Sequence, residues 1–262
     1  RLMSFSIITT VLNNEDFILD CLESVKKQNI NKKKIEHIII DGGSKDKTVD
    51  IIENFKKKNK YVKFFYKKNL SIYEGINFGI KKSKNTYIGI LHSDDYFFDN
   101  NVLNLIKKKF ENKKNVRAIY SNVLFVNRFK KNKILRHFKS KQLTKKDFLK
   151  CEHPPHTSLF INRNVFKKYG FYNEKFIIAS DFEFMLRVLG VNQVKSQYID
   201  KTFVVMRSGG TSTKSLKNIA ISNYEVFKSF KENNLKINLI YIFFKIFRKI
   251  LQLRLFNWIY LI

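Results

Sequence analysis

Two neighbouring carboxylates, Asp94 and Asp95, end the hydrophobic run Ile90-Leu91-His92-Ser93. Like charges side by side repel and are costly to bury, so such a pair calls for a cation or a tight set of donors. Mg2+ and Mn2+, hard cations that take oxygen ligands and bridge phosphates, suit it, and an ion held there would neutralise charge on a departing phosphate. The plain alternative is a solvated turn ahead of the next helix. Asp41 closes a second run, Ile38-Ile39-Ile40, and precedes Gly42 and Gly43. A carboxylate there can accept hydrogen bonds from the imide N–H of a uracil-like base or from a ribose hydroxyl, with the glycines letting the backbone pass close to the ligand. This is not the G-x-G-x-x-G dinucleotide pattern, and the plain alternative is that Asp41 bonds its own turn while Ser44 or Asp46 caps the following helix.

Asp181 and Glu183 open a helical segment whose Phe182, Met185, Leu186 and Leu189 form an apolar stripe that the acids avoid. A carboxylate at the start of such a helix is a general-base candidate; helix capping by Ser180 or Asp181 is the structural alternative. His153 and His156 flank Pro154 and Pro155. With five histidines in the chain and no cysteine or carboxylate cluster around this pair, pocket lining suits them better than zinc. Arg207 stands beside Gly209-Gly210-Thr211-Ser212, a basic residue next to a flexible loop, suited to holding or closing over a phosphate. An ordinary surface turn competes equally.

Something must hold these residues together. Ser4–Val11, Ile35–Asp41, Val62–Tyr66 and Thr86–Leu91 read as strands, and residues 15–27, 46–57 and 72–81 as the helices between them. The short joins predict a mostly parallel α/β sheet with helices on both faces. Beyond Asn100 the alternation loosens: a helix over 102–110, strands over 118–126, 133–138, 157–161 and 194–206, a helical turn over 165–168 and a helix over 179–189.

The 262 residues are 44% hydrophobic, enough for a substantial core, and carry 51 Lys plus Arg against 22 Asp plus Glu, a net +29. Such an excess attracts polyanions of any kind, although a low-GC codon bias accounts for part of the lysine. No zinc spacing, RNA-binding aromatic signature or basic recognition helix supports a nucleic-acid module. Two cysteines, Cys21 and Cys151, suggest neither a disulfide framework nor a thiolate metal site and fit a reducing compartment. Met3 reads as a natural start, with no charged leader after it. From Leu235 to Ile262 the chain is rich in Ile, Phe, Leu, Tyr and Trp, with Lys245, Arg248, Lys249 and Gln252 on one helical face. That pattern is expected of an in-plane membrane helix attracted to anionic lipid; packing on the domain or on a second subunit of a homodimer is the alternative.

Taken in order, these segments resemble the family 2 glycosyltransferases, the inverting group with a GT-A fold, and especially bacterial members that build surface polysaccharides. The resemblance covers about residues 4–212. It rests on Ser6–Glu15, on Asp41-Gly42-Gly43-Ser44-Lys45-Asp46-Lys47-Thr48, on Ser71–Gly79, on Gly89–Asp95, on Ala179–Glu183 and on Gly209–Ser212. It implies one catalytic domain over residues 3–212, with a nucleotide-binding half of about 3–100 and an acceptor half of about 101–212, followed by a helical, membrane-associating region over 213–262. It also implies Asp181 as general base, and Thr10, Glu15, Asp41, Tyr73 and Asp94 at the donor nucleotide. Asp95 would hold Mn2+ or Mg2+. Glu183, His156, Arg207, Gly209, Gly210 and Thr211 would surround the diphosphate and acceptor. The expected donor is a UDP-sugar and the expected acceptor a polyprenyl-diphosphate-linked saccharide at the cytoplasmic face of the bacterial inner membrane. Ser93 stands where the family's metal motif commonly has its first Asp, which leaves the metal chiefly to Asp95. A nucleotidyltransferase, releasing pyrophosphate, is the rival enzyme class.

Overall fold

The computed structural model describes residues 3–210, 215–236, 238 and 241. Its first half follows the alternation in the sequence: β1 (Phe5–Val11), α1 (Ile18–Lys26), β2 (Ile35–Asp41), α2 (Thr48–Lys57), β3 (Val62–Tyr66), α3 (Ile72–Lys82) and β4 (Tyr87–Ile90). All four isoleucines of β2 are buried, as a strand covered on both faces requires. These four strands are parallel, in the order β3-β2-β1-β4. Their carboxyl ends, with Val11 in register with Asp41, therefore lie at one end of the sheet.

The second half adds β5 (Tyr96–Phe97), α4 (Val102–Asn112), β6 (Ala118–Val126), β7 (Ile134–Phe138), α5 (Lys145–Leu149), β8 (Phe160–Asn162), α6 (Arg163–Tyr169), α7 (Ser180–Met185), β9 (Ser196–Arg207) and α8 (Leu216–Glu232). The sheet continues from β4 through β8, β6 and β9 to β5, with β7 paired to β6. β8 runs antiparallel to both β4 and β6, while β6 and β9 are parallel. The helix expected to reach residue 189 is α7 followed by a π-helical turn over Leu186–Val191. One core packs α1, α2 and α4 on one face of the sheet through Leu22, Ile52 and Ile106. The other packs α3, α7 and α8 on the opposite face through Ile76, Met185 and Phe230.

Two details matter for the site. The start of α3 is fixed by a reciprocal cap in which Ser71 and Glu74 satisfy each other's backbone N–H. Gly75 and Gly79, one turn apart on α3, face β1 and β2. A Cβ on Gly79 would lie 2.6 Å from the Ile8 methyl, and one on Gly75 would lie 2.8 Å from the Thr10 methyl. Glycine at these places is what lets α3 settle onto the sheet.

α8 lies wholly beyond residue 212, where the domain was expected to end. Val226 and Phe230 are fully buried in the same core as Ile8 and Tyr73, so α8 belongs to the body of the domain. The apolar, basic stretch expected to meet a membrane lies, apart from a few positions, outside the described residues. Among the described residues no helix is long and apolar enough to cross a membrane.

Burial also sets a pH limit. His37 on β2 is fully buried, its Nε2 2.9 Å from Thr9 Oγ1, and burial pushes its imidazole down to about 3. An unfolded histidine titrates near ~6.5, so the unfolded chain takes up a proton that the folded chain refuses. Stability from this group is complete above that pH and is lost as pH falls toward the folded value, at about 1.4 kcal/mol per pH unit. Thermal midpoints are expected to drop as acid is added, and His37→Gln is expected to flatten the dependence; an unchanged slope would contradict the assignment.

Candidate active site

The carboxyl ends of β1, β2 and β4 open into a cleft of about 840 Å³, the position where open α/β sheets gather ligands. Thr10, Gly42 and Tyr73 line one part of it, and His92, Ser93, Asp94 and Asp95 lie at the end of β4. Asp181, His153 and His156 line it from the α7 side, and Arg207, Gly209 and Gly210 from the end of β9. Asp94, Asp95 and Asp181, drawn from segments 86 residues apart in sequence, thus share one cavity. Gly209 takes a positive φ of 93°, which glycine adopts without strain.

The floor is cross-linked. After β1, Asn13 N–H donates to Ser44 Oγ and Asn13 Oδ1 accepts from Lys45 N–H, both at 2.8 Å. Asn14 reaches Thr48 Oγ1 with its backbone N–H (2.8 Å) and Ser93 Oγ with Nδ2 (2.7 Å). Glu15 Oε2 accepts from Lys47 N–H at 2.7 Å. Glu15 therefore ties the loops after β1 and β2 together and is not among the cleft-lining residues. Asp41 behaves similarly. It is fully buried, and its carboxylate accepts from Gly43 N–H, Ser44 N–H (both 2.8 Å) and Ser44 Oγ (2.5 Å). The carboxylate shapes the turn, and Gly42 forms the cleft surface.

Asp95 is 2% exposed; its Oδ1 accepts from Arg207 N–H at 3.2 Å and its Oδ2 has no partner. Burial, reinforced by Asp94, pushes its carboxyl well above the usual carboxylate range. Arg207 was expected at a diphosphate, but its guanidinium is committed to the protein. It donates to the Asp94 carbonyl and to Asp20, and stacks over Phe17 (4.9 Å) and Tyr96 (5.0 Å). With its side chain 1% exposed, it braces the Asp94 and Asp95 turn from behind. Among the cations lining the cleft, with Arg136 of β7, is Arg128, from the join between β6 and β7. It lies 3.0 Å from Asp94 Oδ2, stacks 4.5 Å over the other guanidinium's Phe17, and is 32% exposed.

On the α7 side, Asp181 Oδ1 accepts the Phe182 N–H at 2.8 Å, which orients the carboxylate. His156 Nε2 lies 3.0 Å from the Tyr172 hydroxyl, and the His92 ring is 5.7 Å from that of His156. Burial lowers both imidazoles, His156 to about 4, against the pull of Asp181; both are neutral at pH 7. Tyr73 stacks on Tyr172 with centroids 6.0 Å apart, and its hydroxyl donates to the Ile178 carbonyl at 2.5 Å. Glu183 points elsewhere: it pairs with Arg187 (2.8 Å) and accepts from Asn233 (3.2 Å), is 3% exposed, and does not line the cleft. Two residues along α7, about 200° of helix phase, separate it from Asp181. Thr211 lies outside the described residues.

Sequence reasoning missed Arg128, His92 and Asp20. His92 adjoined the acidic pair and was within reach of a motif argument. Asp20 lies on the helix read over 15–27 and Arg128 in the join after β6; neither local pattern says that the fold brings Asp20 to Arg207 or Arg128 to the cleft.

Does the pair suit a divalent ion? Among the described residues no three His, Cys, Asp or Glu side chains gather as a metal-binding group, so an all-protein cage is absent there. Asp95 Oδ2 is nonetheless a buried, unpartnered oxygen on the cleft wall. A cation shared between it and a ligand's phosphate oxygens would supply the missing countercharge, so the residues fit an ion delivered with a diphosphate.

Residues 6–170 match the family profile described as Glycosyl transferase family 2. An uncharacterized glycosyltransferase of Rickettsia typhi is 29% identical over 198 residues, 72% of this chain and 59% of that protein, so the chain spans well under two thirds of this relative. Among solved structures, Staphylococcus aureus TarS residues 1–349 in complex with UDP-GlcNAc superposes with a TM-score of 0.70 at 16% identity, covering 92% of this chain and 69% of that one. The mannosyltransferase PcManGT from Pyrobaculum calidifontis, in complex with GDP-Man and Mn2+, gives 0.64 at 12% identity, covering 87% and 67%. At these identities the superpositions establish a shared GT-A fold.

Proposed function

Because the chain belongs to glycosyl transferase family 2 and is a glycosyltransferase, we propose that its cleft carries a hexose or N-acetylhexosamine from UDP to an acceptor hydroxyl with inversion at the anomeric carbon. The convergence of Asp94, Asp95 and Asp181 on one cavity carries this reading. Asp181 takes the proton from the acceptor hydroxyl as its oxygen attacks the anomeric carbon. The bond from that carbon to the diphosphate oxygen breaks on the opposite face, UDP departs, and an α-linked donor yields a β-linked product. Arg128 faces the cleft beside Asp94 and offers its guanidinium to the diphosphate.

Asp95, with the diphosphate, would hold Mn2+ or Mg2+, which when bound supplies Lewis-acid stabilisation of the leaving group. Tyr73, Thr10 and Gly42 form the nucleotide wall. Asp41 is fully buried behind Gly42; were the Ser44 hydroxyl to turn away from its Oδ2, that oxygen would become free to accept the imide N–H of uracil. The UDP-GlcNAc bound to TarS, a protein of the same fold, favours this nucleotide. The net charge of +29 and the apolar, basic composition of residues 235–262 favour an acceptor carried on a polyprenyl diphosphate at the cytoplasmic membrane surface.

The test is a panel of UDP- and GDP-sugars incubated with Mn2+ or Mg2+, scored for nucleoside diphosphate release. UDP-hexoses or UDP-N-acetylhexosamines are expected to turn over. Response to GDP-sugars alone would overturn the uracil assignment at Asp41, and release from neither would overturn the donor reading altogether.

A further inference from the structure

The three residues that lead into α7 have an unusual hydrogen-bond destination. Ile177 N–H donates to Glu225 Oε1 at 2.6 Å, and the N–H groups of Ile178 and Ala179 donate to Glu225 Oε2 at 2.9 and 2.7 Å. Three consecutive backbone donors thus converge on one carboxylate, a short concave nest filled from within the protein. Ala179 occupies the N-cap of α7 and has no side chain able to cap it. Glu225, 46 residues downstream on α8, supplies the missing acceptor. The same loop is held from the other side, where the Tyr73 hydroxyl donates to the Ile178 carbonyl at 2.5 Å. Ile178 is therefore gripped through both its N–H and its C=O, by α8 and by α3, three residues before Asp181.

Anchoring α8 does not call for this carboxylate. Val226 and Phe230, both fully buried, already fasten the helix to the core, and an apolar side chain at position 225 would avoid the cost of burying a charged group. Glu225 is only 5% exposed. What the carboxylate provides, and an apolar side chain cannot, is a fixed geometry for residues 177–179. A general base works only within hydrogen-bond reach of the proton it removes.

We propose that Glu225 is a positioning residue for the reaction, setting the loop from which Asp181 is presented to the acceptor hydroxyl; this rests on the reading of Asp181 as the base. α8, beyond the residues matched by the family profile, is then part of the apparatus that builds the active site.

The experiment compares the full-length chain with Glu225→Gln, Asp181→Asn and the double variant. It measures kcat and KM for UDP release from UDP-GlcNAc with water as acceptor, UDP affinity by calorimetry, and amide exchange at residues 177–179. Glu225→Gln is expected to lower kcat by roughly 10- to 100-fold, the scale of a misplacement of about 1 Å, while KM and UDP affinity hold within about twofold. Exchange at Ile177, Ile178 and Ala179 is expected to accelerate. In the Asp181→Asn background, Glu225→Gln is expected to cost nothing further. Equal losses in both backgrounds, or unchanged exchange at the three amides, would overturn the proposal. An Asp181→Asn enzyme with the parental rate would instead overturn the base assignment on which it rests. Tyr73→Phe, which leaves α8 untouched, reads the same clamp from its other side. Faster exchange at Ile178 with reduced kcat is expected, and a parental value of both would count against a loop set by this clamp.

Discussion

Asp95→Ala is expected to abolish nucleoside diphosphate release, by at least about 10³-fold, since a Lewis acid at the leaving group supplies several kcal/mol and each ~1.4 kcal/mol is tenfold in rate. The loss has a signature that separates it from unfolding. Asp95 is buried with one oxygen unpartnered and its carboxyl pushed well above the ordinary range, so the ligand-free protein already bears a cost for keeping it. Removing the carboxyl relieves that cost, and what it gives up in return is one long hydrogen bond from Arg207 N–H. The thermal midpoint of the ligand-free variant is therefore expected to hold or rise, while the enhancement of UDP affinity by Mn2+ disappears. An Asp95→Ala protein that retains both turnover and Mn2+-enhanced UDP binding would show that the metal, if used, is held elsewhere.

The distribution of what was readable in the chain follows from the range of the forces involved. Hydrophobic runs such as Ile38-Ile39-Ile40 report burial on both faces directly, and the short joins between them force parallel pairing, so the first four strands were legible to within a residue or two. Direction in the second half was not. Periodicity points to a strand over 157–161, of which only Phe160 and Ile161 are in one, and says nothing of its running antiparallel to both neighbours; the two-residue strand Tyr96–Phe97 exists through its pairing with β9. Similar limits apply at the site. Residue type and spacing brought out Asp94, Asp95 and Asp181, which do meet in one cleft. They could not show that Arg207 faces inward onto Asp20, because that partner is chosen by distant parts of the fold; the pairing of Glu183 with Arg187, four residues on, was open to a helix-spacing argument. Arg128 and Glu225 carry no local pattern at all. Each acquires its role from a partner 34 to 48 residues away.

Asp181→Asn is the second large effect, and the substitution is well suited to isolating chemistry. The Phe182 N–H now received by Asp181 Oδ1 can be received equally by an asparagine carbonyl oxygen, so the start of α7 keeps its geometry while the basic oxygen is lost. General-base catalysis contributes about 10²- to 10⁴-fold, and kcat is expected to fall within that range with UDP affinity unchanged. The nearest competitors for the role are His156 and His92. His156 already has its Nε2 at the Tyr172 hydroxyl, and accepting a proton would charge an imidazole that burial has driven down to about 4. If His156 nevertheless served as base, His156→Gln would cost more than Asp181→Asn; if Asp181 serves, the histidine substitution leaves most of the rate intact. Measuring both variants on one UDP-sugar therefore decides which side of the cleft removes the proton, because the two assignments require opposite rankings.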